Sequence, residues 1–190
     1  WPSATLQAEP AKGKALIMID PAHGGAETGV SLSDKYFEKD LVLSVALAVQ
    51  KELGRSGKID VRLTRSQDTQ ISVADRIKMV QAARPDAFVS LHVNAGFSKN
   101  AAGYEVYFPG FSTAPSGKDE SAAILTDMEK NKYLNDSVKL AQIIQRNLQS
   151  VFPRKGRGLR EAGIPILKDL TIPAVVLEIA FATNLEDKAR

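Results

Sequence analysis

The two histidines of the chain each follow an apolar run of the length of a β-strand. His23 lies in the segment DPAHGG, after the apolar run at residues 15–19, and His92 follows the run at residues 87–91. Because ligands of open α/β sheets bind beyond the carboxyl ends of the strands, we expect both imidazoles at that edge of a sheet. A single histidine there is more often a hydrogen-bonded structural group, but two on neighbouring elements favour a pair of metal ligands.

Glu38 is the candidate third ligand. The chain has no cysteine, so a metal must bind to histidine or carboxylate side chains. Glu38 opens a helical stretch that follows the first apolar run, which returns its carboxylate towards the same edge of the sheet. The commoner role of such a residue is to stabilise the helix dipole. Two imidazoles and one carboxylate, with a fourth position left to water, are a recurring catalytic zinc arrangement, although the same set also binds other divalent ions.

Glu178 is a charged residue inside the most apolar run of the chain, AVVLEIAF at residues 174–181. A carboxylate in a central strand is unfavourable unless it is paired or its pKa is raised. One interpretation is a buried ion pair, or a group at the strand end in contact with solvent. The other is a general base beside a metal-bound water, with a pKa raised by its apolar neighbours.

Strands and helices alternate along the chain. Continuous apolar runs predict strands, and apolar residues at three-to-four spacing predict helices. The predicted strands are residues 15–19, 59–63, 87–91, 104–108, 164–167 and 174–181. The predicted helices are residues 38–53, a stretch between Ser72 and Pro85, residues 122–132 and residues 134–152.

This alternation predicts an α/β fold, with a mostly parallel central sheet of about six strands and helices on both faces. The closeness of the third and fourth strands predicts a hairpin-like pair, so that the sheet is mixed. Residues 1–13 lack a hydrophobic period and contain two prolines, and we expect them to form a linker or an N-terminal arm. We expect residues 14–190 to form a single domain. The chain opens with WPS rather than with methionine, which indicates a fragment of a longer protein.

The composition excludes several classes of protein. A hydrophobic fraction of 44% with 25% charged residues is that of a globular protein. No apolar run approaches the ~18 residues that are needed to cross a bilayer. The absence of cysteine excludes disulfide scaffolds, iron–sulfur sites and thiol nucleophiles. A net charge of +3, with dispersed basic residues and 6% aromatic residues, argues against nucleic-acid binding.

Four sequence blocks occur in a characteristic order: DPAHGG at 20–25, EKD at 38–40, SLHVNA at 90–95 and PAVVLEIAFATN at 173–184. Together they resemble the zinc-dependent N-acetylmuramoyl-L-alanine amidases, which cleave bacterial peptidoglycan, over residues 14–187. The resemblance implies that His23, Glu38 and His92 bind one Zn²⁺ ion and that Glu178 is the catalytic glutamate. It also implies hydrolysis of the amide that joins N-acetylmuramic acid to the L-alanine of the stem peptide, by a metal-activated water.

Peptidoglycan stem peptides carry carboxylates, which a basic site would bind. The segment RGL at residues 157–159 resembles a family segment that precedes the last strands. A basic cluster around it is a candidate substrate contact, and its alternative is a solvated loop after a helix; the cluster consists of Arg154, Lys155, Arg157 and Arg160. The candidate substrate-binding residues are Asn94, Arg157 and Arg160.

The chain departs from the family pattern at three positions. Ala22 and Ala180 stand where the family usually has glycine, and Glu27 stands where aspartate is usual. Ala22 and Ala180 adjoin the candidate site residues. Each added methyl group would either crowd the cleft or have no effect.

Residues 110–133 coincide with an insertion that some relatives carry, which includes a helix that plugs the active site until an activator displaces it. The segment is short, and a loop and a helix packed on the sheet are the commoner arrangement. Its carboxylates that are candidates to reach a metal ion are Asp119, Glu120, Asp127 and Glu129.

The resemblance implies an extracytoplasmic enzyme, in the bacterial periplasm or cell wall, that acts on peptidoglycan in cell separation or wall turnover. An activator protein is a candidate partner, and we expect a monomer without a membrane span. Two further hypotheses stay open. One is a zinc carboxypeptidase or related amidohydrolase with the same ligands, and the other is an autoinhibited or non-catalytic peptidoglycan-binding module. Loss of Glu178 or of either histidine would favour the module, and all three are present.

Overall fold

Eight strands form two sheets in the structure, a computed structural model that describes residues 13–96, 101–110, 120–151, 157–168 and 170–188. In chain order the strands are β1 (Ala15–Pro21), β2 (Ser31–Ser33), β3 (Tyr36–Phe37), β4 (Ile59–Leu63), β5 (Ala87–Asn94), β6 (Glu105–Pro109), β7 (Leu159–Ala162) and β8 (Ala174–Phe181). The main sheet has the order β4-β1-β5-β8-β6-β7, and β2 pairs with β3 in a short ribbon. Only β6 and β8 of the main sheet pair antiparallel, which confirms the mostly parallel, mixed sheet of six strands.

The described residues include four α-helices: α1 (Glu38–Gly54), α2 (Val73–Ala83), α3 (Glu120–Val151) and α4 (Leu185–Lys188). Helix α2 begins where the sequence predicts it, because the hydroxyl of Ser72 accepts a hydrogen bond from the amide of Asp75 at 3.1 Å. It ends at Ala83, because the next residue, Arg84, adopts a left-handed conformation with a φ of 45°. Within the described ranges, no helix is both long enough and apolar enough to span a bilayer.

Helices cover both faces of the sheet, as the sequence predicts. On one face, Val42 of α1 and Ala141 of α3 are fully buried and pack in one cluster with Leu91 and Leu177. Burying an aliphatic side chain of the size of valine or leucine stabilises the fold by about 1.5–3 kcal/mol. The cluster fixes α1 against the strands, and so fixes the position of its first residue, Glu38.

A second, smaller apolar cluster covers the opposite face. Val80 of α2 packs there with Phe88 and Val176, together with a 3₁₀ helix at Pro165–Leu167. Phe88 precedes His92 along its strand, so this cluster packs on the part of the strands that comes before the predicted site residues. The carboxyl ends of the strands, where ligands of such sheets bind, lie beyond it.

The strand register places three ionisable residues in one row. His92 of β5 pairs with Glu178 of β8, and Glu178 pairs with Glu105 of β6. Residues directly opposite each other on paired strands project from the same face of a sheet. The parallel and antiparallel pairings of β8 therefore bring an imidazole and two carboxylates side by side.

The predicted strand at residues 164–167 is wrong. Pro165–Leu167 form the 3₁₀ helix, with the amide of Leu167 donating to the carbonyl of Ile164 at 3.0 Å. Proline lacks an amide hydrogen for a strand ladder, and its fixed φ suits the first position of a helix. The sixth strand of the sheet is β7, which pairs with β6.

Two other predictions of the elements also need correction. The predicted helices at 122–132 and 134–152 are one continuous helix, α3, because no glycine or proline interrupts residues 120–151. Strands β5 and β6 are not hairpin-like neighbours, since β8, the most apolar strand, lies between them. Of the predicted N-terminal arm, residues 1–12 lie outside the described residues.

A buried polar network lies at the end of β1. Asp20 is 1% exposed and pairs with the guanidinium group of Arg76. Its Oδ1 accepts a hydrogen bond from the hydroxyl of Thr64, and its Oδ2 accepts one from the hydroxyl of Ser90 at 2.7 Å. The network joins β1 and β5 to α2, directly before the segment that carries His23.

We expect Ser90→Ala to destabilise the fold by about 1–3 kcal/mol, because it removes the donor to Oδ2 of a buried carboxylate. The free energy of unfolding in urea measures this effect. Ser31→Ala is the matched control, since the Ser31 hydroxyl is exposed and bonds only to the carbonyl of Ser33 among the described groups; it should change the free energy by no more than about 0.5 kcal/mol. Equal effects of the two substitutions would contradict the role of the Asp20 network.

Candidate metal centre and active site

The chain turns sharply after β1 and presents His23 in a left-handed backbone conformation. His23 has a φ of 59°, and Gly24 and Gly25 follow with φ values of 132° and 60°. This conformation is unfavourable for a residue with a side chain, by about 1–2 kcal/mol, and persists only where the surroundings enforce it. The DPAHGG segment therefore forms a strained turn, and the position of the imidazole depends on what holds that turn.

Two buried arginines hold the carbonyl groups of the turn. Arg65 donates from Nε to the carbonyl of Pro21 at 2.9 Å and from Nη2 to that of Ala22 at 2.8 Å. Arg76 donates from Nη2 to the carbonyl of His23 at 2.6 Å. The two arginines are 4% and 3% exposed. Charge-assisted hydrogen bonds in such a buried place are strong, so they fix the backbone that carries His23.

Glu38 is held by main-chain amides on both carboxylate oxygens. Its Oε2 accepts a hydrogen bond from the amide of Val30 at 3.0 Å, and its Oε1 accepts one from the amide of Val93 at 3.0 Å. Glu38 is 2% exposed. Nη2 of Arg65 also donates to the carbonyl of Lys39 at 2.9 Å, which ties the first turn of α1 to the His23 turn.

The structure brings the three predicted ligands together. Nε2 of His23 and Nδ1 of His92 each lie 3.2 Å from Oε1 of Glu38. The imidazole rings meet edge to face, with their centroids 5.5 Å apart. One nitrogen or oxygen donor atom from each residue lies within 4.8 Å of the other two, and no other such group occurs among the described residues. This donor set, two imidazoles and a carboxylate, is one that zinc accepts.

The cluster strongly favours the ionised form of its carboxylate. Burial by itself raises the pKa of Glu38, but hydrogen bonds with His23, His92 and the two amides outweigh it and hold the pKa well below its usual value. Burial by itself lowers the pKa of His92, and the hydrogen bond with Glu38 and the charge of Glu178 reverse this and raise it. A buried anion between two imidazoles is a site that a cation would occupy favourably.

Gly29 packs against two of the predicted ligands, which the sequence did not indicate. It has a φ of +66°, and a Cβ atom placed on it would lie 2.7 Å from Cδ2 of His23 and 2.8 Å from Cβ of Glu38. Carbon atoms do not approach so closely without displacement. Only glycine fits this position without moving the donor atoms.

Glu178 lies beside the cluster with an unsatisfied oxygen. Its Oε2 is the single buried side-chain polar atom without a hydrogen-bond partner in the described part of the chain. Burial raises the pKa of Glu178 to about 7; the charges of Glu38 and Glu105 add to this, while His92 and His23 partly offset it. A carboxyl group with such a pKa both accepts and donates a proton near neutral pH. This agrees with the sequence interpretation of a raised pKa rather than a buried ion pair.

Glu105 is a second buried carboxylate that sequence reasoning missed. Its Oε1 pairs with Nε of Arg157 at 2.8 Å and with Nε of Arg160 at 2.9 Å. Its Oε2 accepts hydrogen bonds from Nδ2 of Asn94 at 3.1 Å and from the hydroxyl of Tyr107 at 2.9 Å. The three candidate substrate-binding residues therefore meet on one carboxylate. The sequence signal that could have identified Glu105 is a charged residue inside the apolar run at 104–108, which is the same signal that identified Glu178.

Other predicted positions are only partly described. Arg154, Lys155 and Asp119 lie outside the described residues. Residues 120–129 belong to the first turns of α3, and the side chains of Glu120, Asp127 and Glu129 lie outside the description. The plug hypothesis for residues 110–133 therefore stays a prediction.

The departures from the family pattern are accommodated by the backbone. Ala22 and Ala180 do not have positive φ, so a Cβ atom creates no strain there. Ala22 is 3% exposed, and its amide donates to the carbonyl of Leu91 at 3.2 Å. The amide of Gly24 donates a hydrogen bond to the carbonyl of Glu27 across the turn, and the amide of Glu27 donates one to the carbonyl of Gly24. These hydrogen bonds involve the main chain of Glu27 and not its side chain. The turn that carries His23 is complete with these residues in place.

Comparison with known proteins gives a consistent result. The family model described as N-acetylmuramoyl-L-alanine amidase matches residues 17–190. N-acetylmuramoyl-L-alanine amidase AmiC of Escherichia coli O6:H1 is 27% identical, and the alignment covers 97% of this chain and 51% of AmiC. The chain thus spans about half the length of this curated relative.

Solved structures have the same fold. The crystal structure of N-acetylmuramoyl-L-alanine amidase from Clostridium difficile 630 aligns with a TM-score of 0.78 and 27% identity, over 94% of this chain and 86% of that one. The CwlD amidase from Clostridioides difficile, solved in complex with the GerS lipoprotein, aligns with a TM-score of 0.70 and 26% identity, over 91% of this chain and 85% of that one. The chain therefore belongs to the N-acetylmuramoyl-L-alanine amidase family.

Proposed function

We propose that this domain, residues 14–190, is a zinc-dependent amidase that hydrolyses the bond between N-acetylmuramic acid and L-alanine in peptidoglycan. The observation that carries the proposal is the cluster of His23, Glu38 and His92 beside Glu178, whose buried Oε2 has no hydrogen-bond partner among the described residues. Membership of the amidase family supports the substrate class. The neighbouring Glu178 supports catalysis rather than binding alone, because a binding module has no use for a proton-exchanging group.

His23, Glu38 and His92 would hold the zinc ion. The fit rests on the donor set and on the closeness of the donor atoms, which lie within 4.8 Å of one another. When bound, zinc supplies Lewis acidity that polarises the amide carbonyl and acidifies a water molecule. The main-chain amides of Val30 and Val93 keep the Glu38 carboxylate ionised and oriented for this role.

Glu178 would move the proton in the reaction. It takes a proton from the attacking water as the water oxygen bonds to the carbonyl carbon. It then donates that proton to the nitrogen of L-alanine as the carbon–nitrogen bond breaks, so the products are a carboxylic acid and a free amine. Burial raises the pKa of Glu178 above its usual range, which favours uptake of the proton, and a bound zinc ion would lower that pKa and so favour its release.

The substrate determines where such an enzyme acts. Peptidoglycan lies outside the cytoplasmic membrane, so we place the domain in the periplasm or cell wall, with a role in cell separation or wall turnover. An activator protein is a candidate partner, which the complex of CwlD with a lipoprotein supports by analogy. We expect the domain to act as a monomer.

A digest of purified peptidoglycan with added zinc tests the reaction. We expect free stem peptides with a new L-alanine amino terminus, identified by mass spectrometry, and no such products after addition of a chelator. Products shortened at their carboxyl termini instead would indicate a carboxypeptidase. Intact wall in every tube would contradict an unaided amidase and leave the activator-dependent enzyme or the binding module.

Glu178→Gln separates the proton transfer from metal binding. We expect at least a ~100-fold loss of kcat, since general acid–base catalysis typically contributes 10²–10⁴-fold. Zinc affinity, measured by calorimetry on the same protein, should change little because the three proposed ligands are retained. Wild-type turnover by this variant would exclude Glu178 as the catalytic base.

Gly29→Ala tests the metal site without an activity measurement. The new methyl group displaces His23 and Glu38, and disturbing the groups around metal ligands typically weakens binding by about 10–100-fold. Gly57→Ala is the matched control, because Gly57 has the same φ of +66° but nothing within 4 Å of its Cβ position. Calorimetric titration with zinc should show weak binding only for Gly29→Ala. Equal zinc affinity of the two variants would contradict the assigned ligands.

A further inference from the structure

Two arginines of the candidate site share a single buried oxygen atom. Nε of Arg157 lies 2.8 Å and Nε of Arg160 lies 2.9 Å from Oε1 of Glu105. The Glu105 side chain is 3% exposed, whereas the two arginine side chains are 42% and 46% exposed. The carboxylate is thus an internal anchor, and both guanidinium groups reach from it to the solvent.

Hydrogen bonds on both oxygens hold the Glu105 carboxylate in one orientation towards the arginines. The second oxygen, Oε2, accepts hydrogen bonds from Asn94 and Tyr107, so both oxygens of Glu105 are occupied. Guanidinium groups are planar, with donors in a rigid fork, so binding through Nε fixes the direction of the terminal Nη atoms. That terminal edge is the part of an arginine that binds a carboxylate with two parallel hydrogen bonds.

Two guanidinium groups converge on one carboxylate, so Glu105 neutralises only one of their two positive charges. The guanidinium group of Arg157 also lies over the ring of Phe181, with 5.7 Å from Cζ to the ring centroid, which further restricts its position. A fixed, half-exposed cationic pair of this kind is suited to an anionic group of a ligand.

The strand register places this pair on the same side of the sheet as the reacting groups. Glu105 is paired with Glu178 in the register, and Tyr107, two residues further along β6, is paired with Arg160 of β7. Strand β6 lies between β8 and β7, so Arg160 is two strand spacings, about 10 Å, from the strand of Glu178. An extended chain spans about 3.5 Å per residue, so a stem-peptide carboxylate two or three residues beyond the scissile amide comes within reach of the arginines.

We propose that Glu105 is a positioning residue that orients Arg157 and Arg160 as a receptor for a stem-peptide carboxylate. The receptor makes the enzyme selective for stems whose carboxylates are free rather than amidated. This inference rests on the proposed amidase function, because it takes the stem peptide as the ligand. Asn94, in contact with Glu105, supports the anchor from the side of β5.

Equilibrium binding of released stem peptides tests the receptor independently of turnover. The probes are a stem tripeptide with free carboxylates and the same peptide with carboxamides in their place, each titrated into the zinc-loaded protein by calorimetry. We expect the free-carboxylate peptide to bind at least about tenfold more tightly, because a carboxylate forms charge-assisted hydrogen bonds with the guanidinium groups and a carboxamide does not. The preference should disappear in the Arg157→Gln/Arg160→Gln double variant.

Arg62→Gln is the matched control for the arginine substitutions. Arg62 is 59% exposed and pairs with Asp60 at 3.5 Å, on the strand at the opposite edge of the sheet. This variant should keep the full preference for the carboxylate. A preference that persists in the double arginine variant would overturn the receptor and indicate direct binding of the carboxylate elsewhere, such as to zinc.

Glu105→Gln tests the positioning role. We expect it to abolish the preference as the double arginine variant does, with no further loss when the three substitutions are combined, because the glutamate acts only through the arginines. A retained preference in folded Glu105→Gln would overturn this role. If that variant does not fold, Tyr107→Phe removes one donor to Oε2 and should weaken binding of the free-carboxylate peptide alone by about threefold. Equal binding to Tyr107→Phe and to the wild type would then overturn the role.

The outcome also separates this inference from the amidase proposal. Turnover of peptidoglycan without a preference between the two peptides would refute the receptor and leave the amidase. A preference that depends on Arg157 and Arg160, in a protein that releases no stem peptides from peptidoglycan, would support the receptor and refute unaided hydrolysis.

Discussion

The geometry of the candidate site depends on two buried arginines that bind the carbonyl groups of the His23 turn. Arg65 and Arg76 bind three successive main-chain carbonyl groups, beginning with that of the last residue of β1, and Arg65 also binds the first turn of α1. Burial lowers the pKa of Arg65, and electrostatic repulsion from Arg76 lowers it further. Two cations are tolerable in such a place only because carbonyl oxygens and the Asp20 carboxylate accept their hydrogen bonds. The His23 turn and the start of helix α1, which carries Glu38, are consequently held in fixed positions relative to each other.

The sequence alone was sufficient to predict the elements that hold the predicted ligands. His23, His92 and Glu178 follow or interrupt apolar runs, and such a change from apolar to polar within a few residues is a local signal. Glu38 was predicted from its place at the start of an amphipathic helix. Because parallel strands place their carboxyl ends at one edge of a sheet, local signals indicated that these residues lie near one another, and the resemblance to the amidase family implied their roles.

Features that depend on non-local contacts were not predictable in this way. The insertion of β8 between β5 and β6 depends on how the whole chain packs, and no residue of β5 or β6 indicates it. The role of Gly29 depends on how the chain folds back to place it against His23, six residues before it, and Glu38, nine residues after it. The apolar residues at 164–167 match a strand pattern, but the proline among them decides for a 3₁₀ helix.

Three glutamates at the candidate site share one functional group and differ in the partners of that group. Glu38 has four hydrogen-bond partners, and they hold its pKa well below the usual value despite burial. Glu105 pairs with two guanidinium groups and has donors on both oxygens. Glu178 has no partner for Oε2, and burial raises its pKa to about 7. The carboxylate of Glu38, which is held in its ionised form, is suited to bind a metal ion. The carboxylate of Glu105, which pairs with two guanidinium groups, is suited to orient them. Of the three, only Glu178 has an oxygen without a partner and is free to exchange a proton with a substrate.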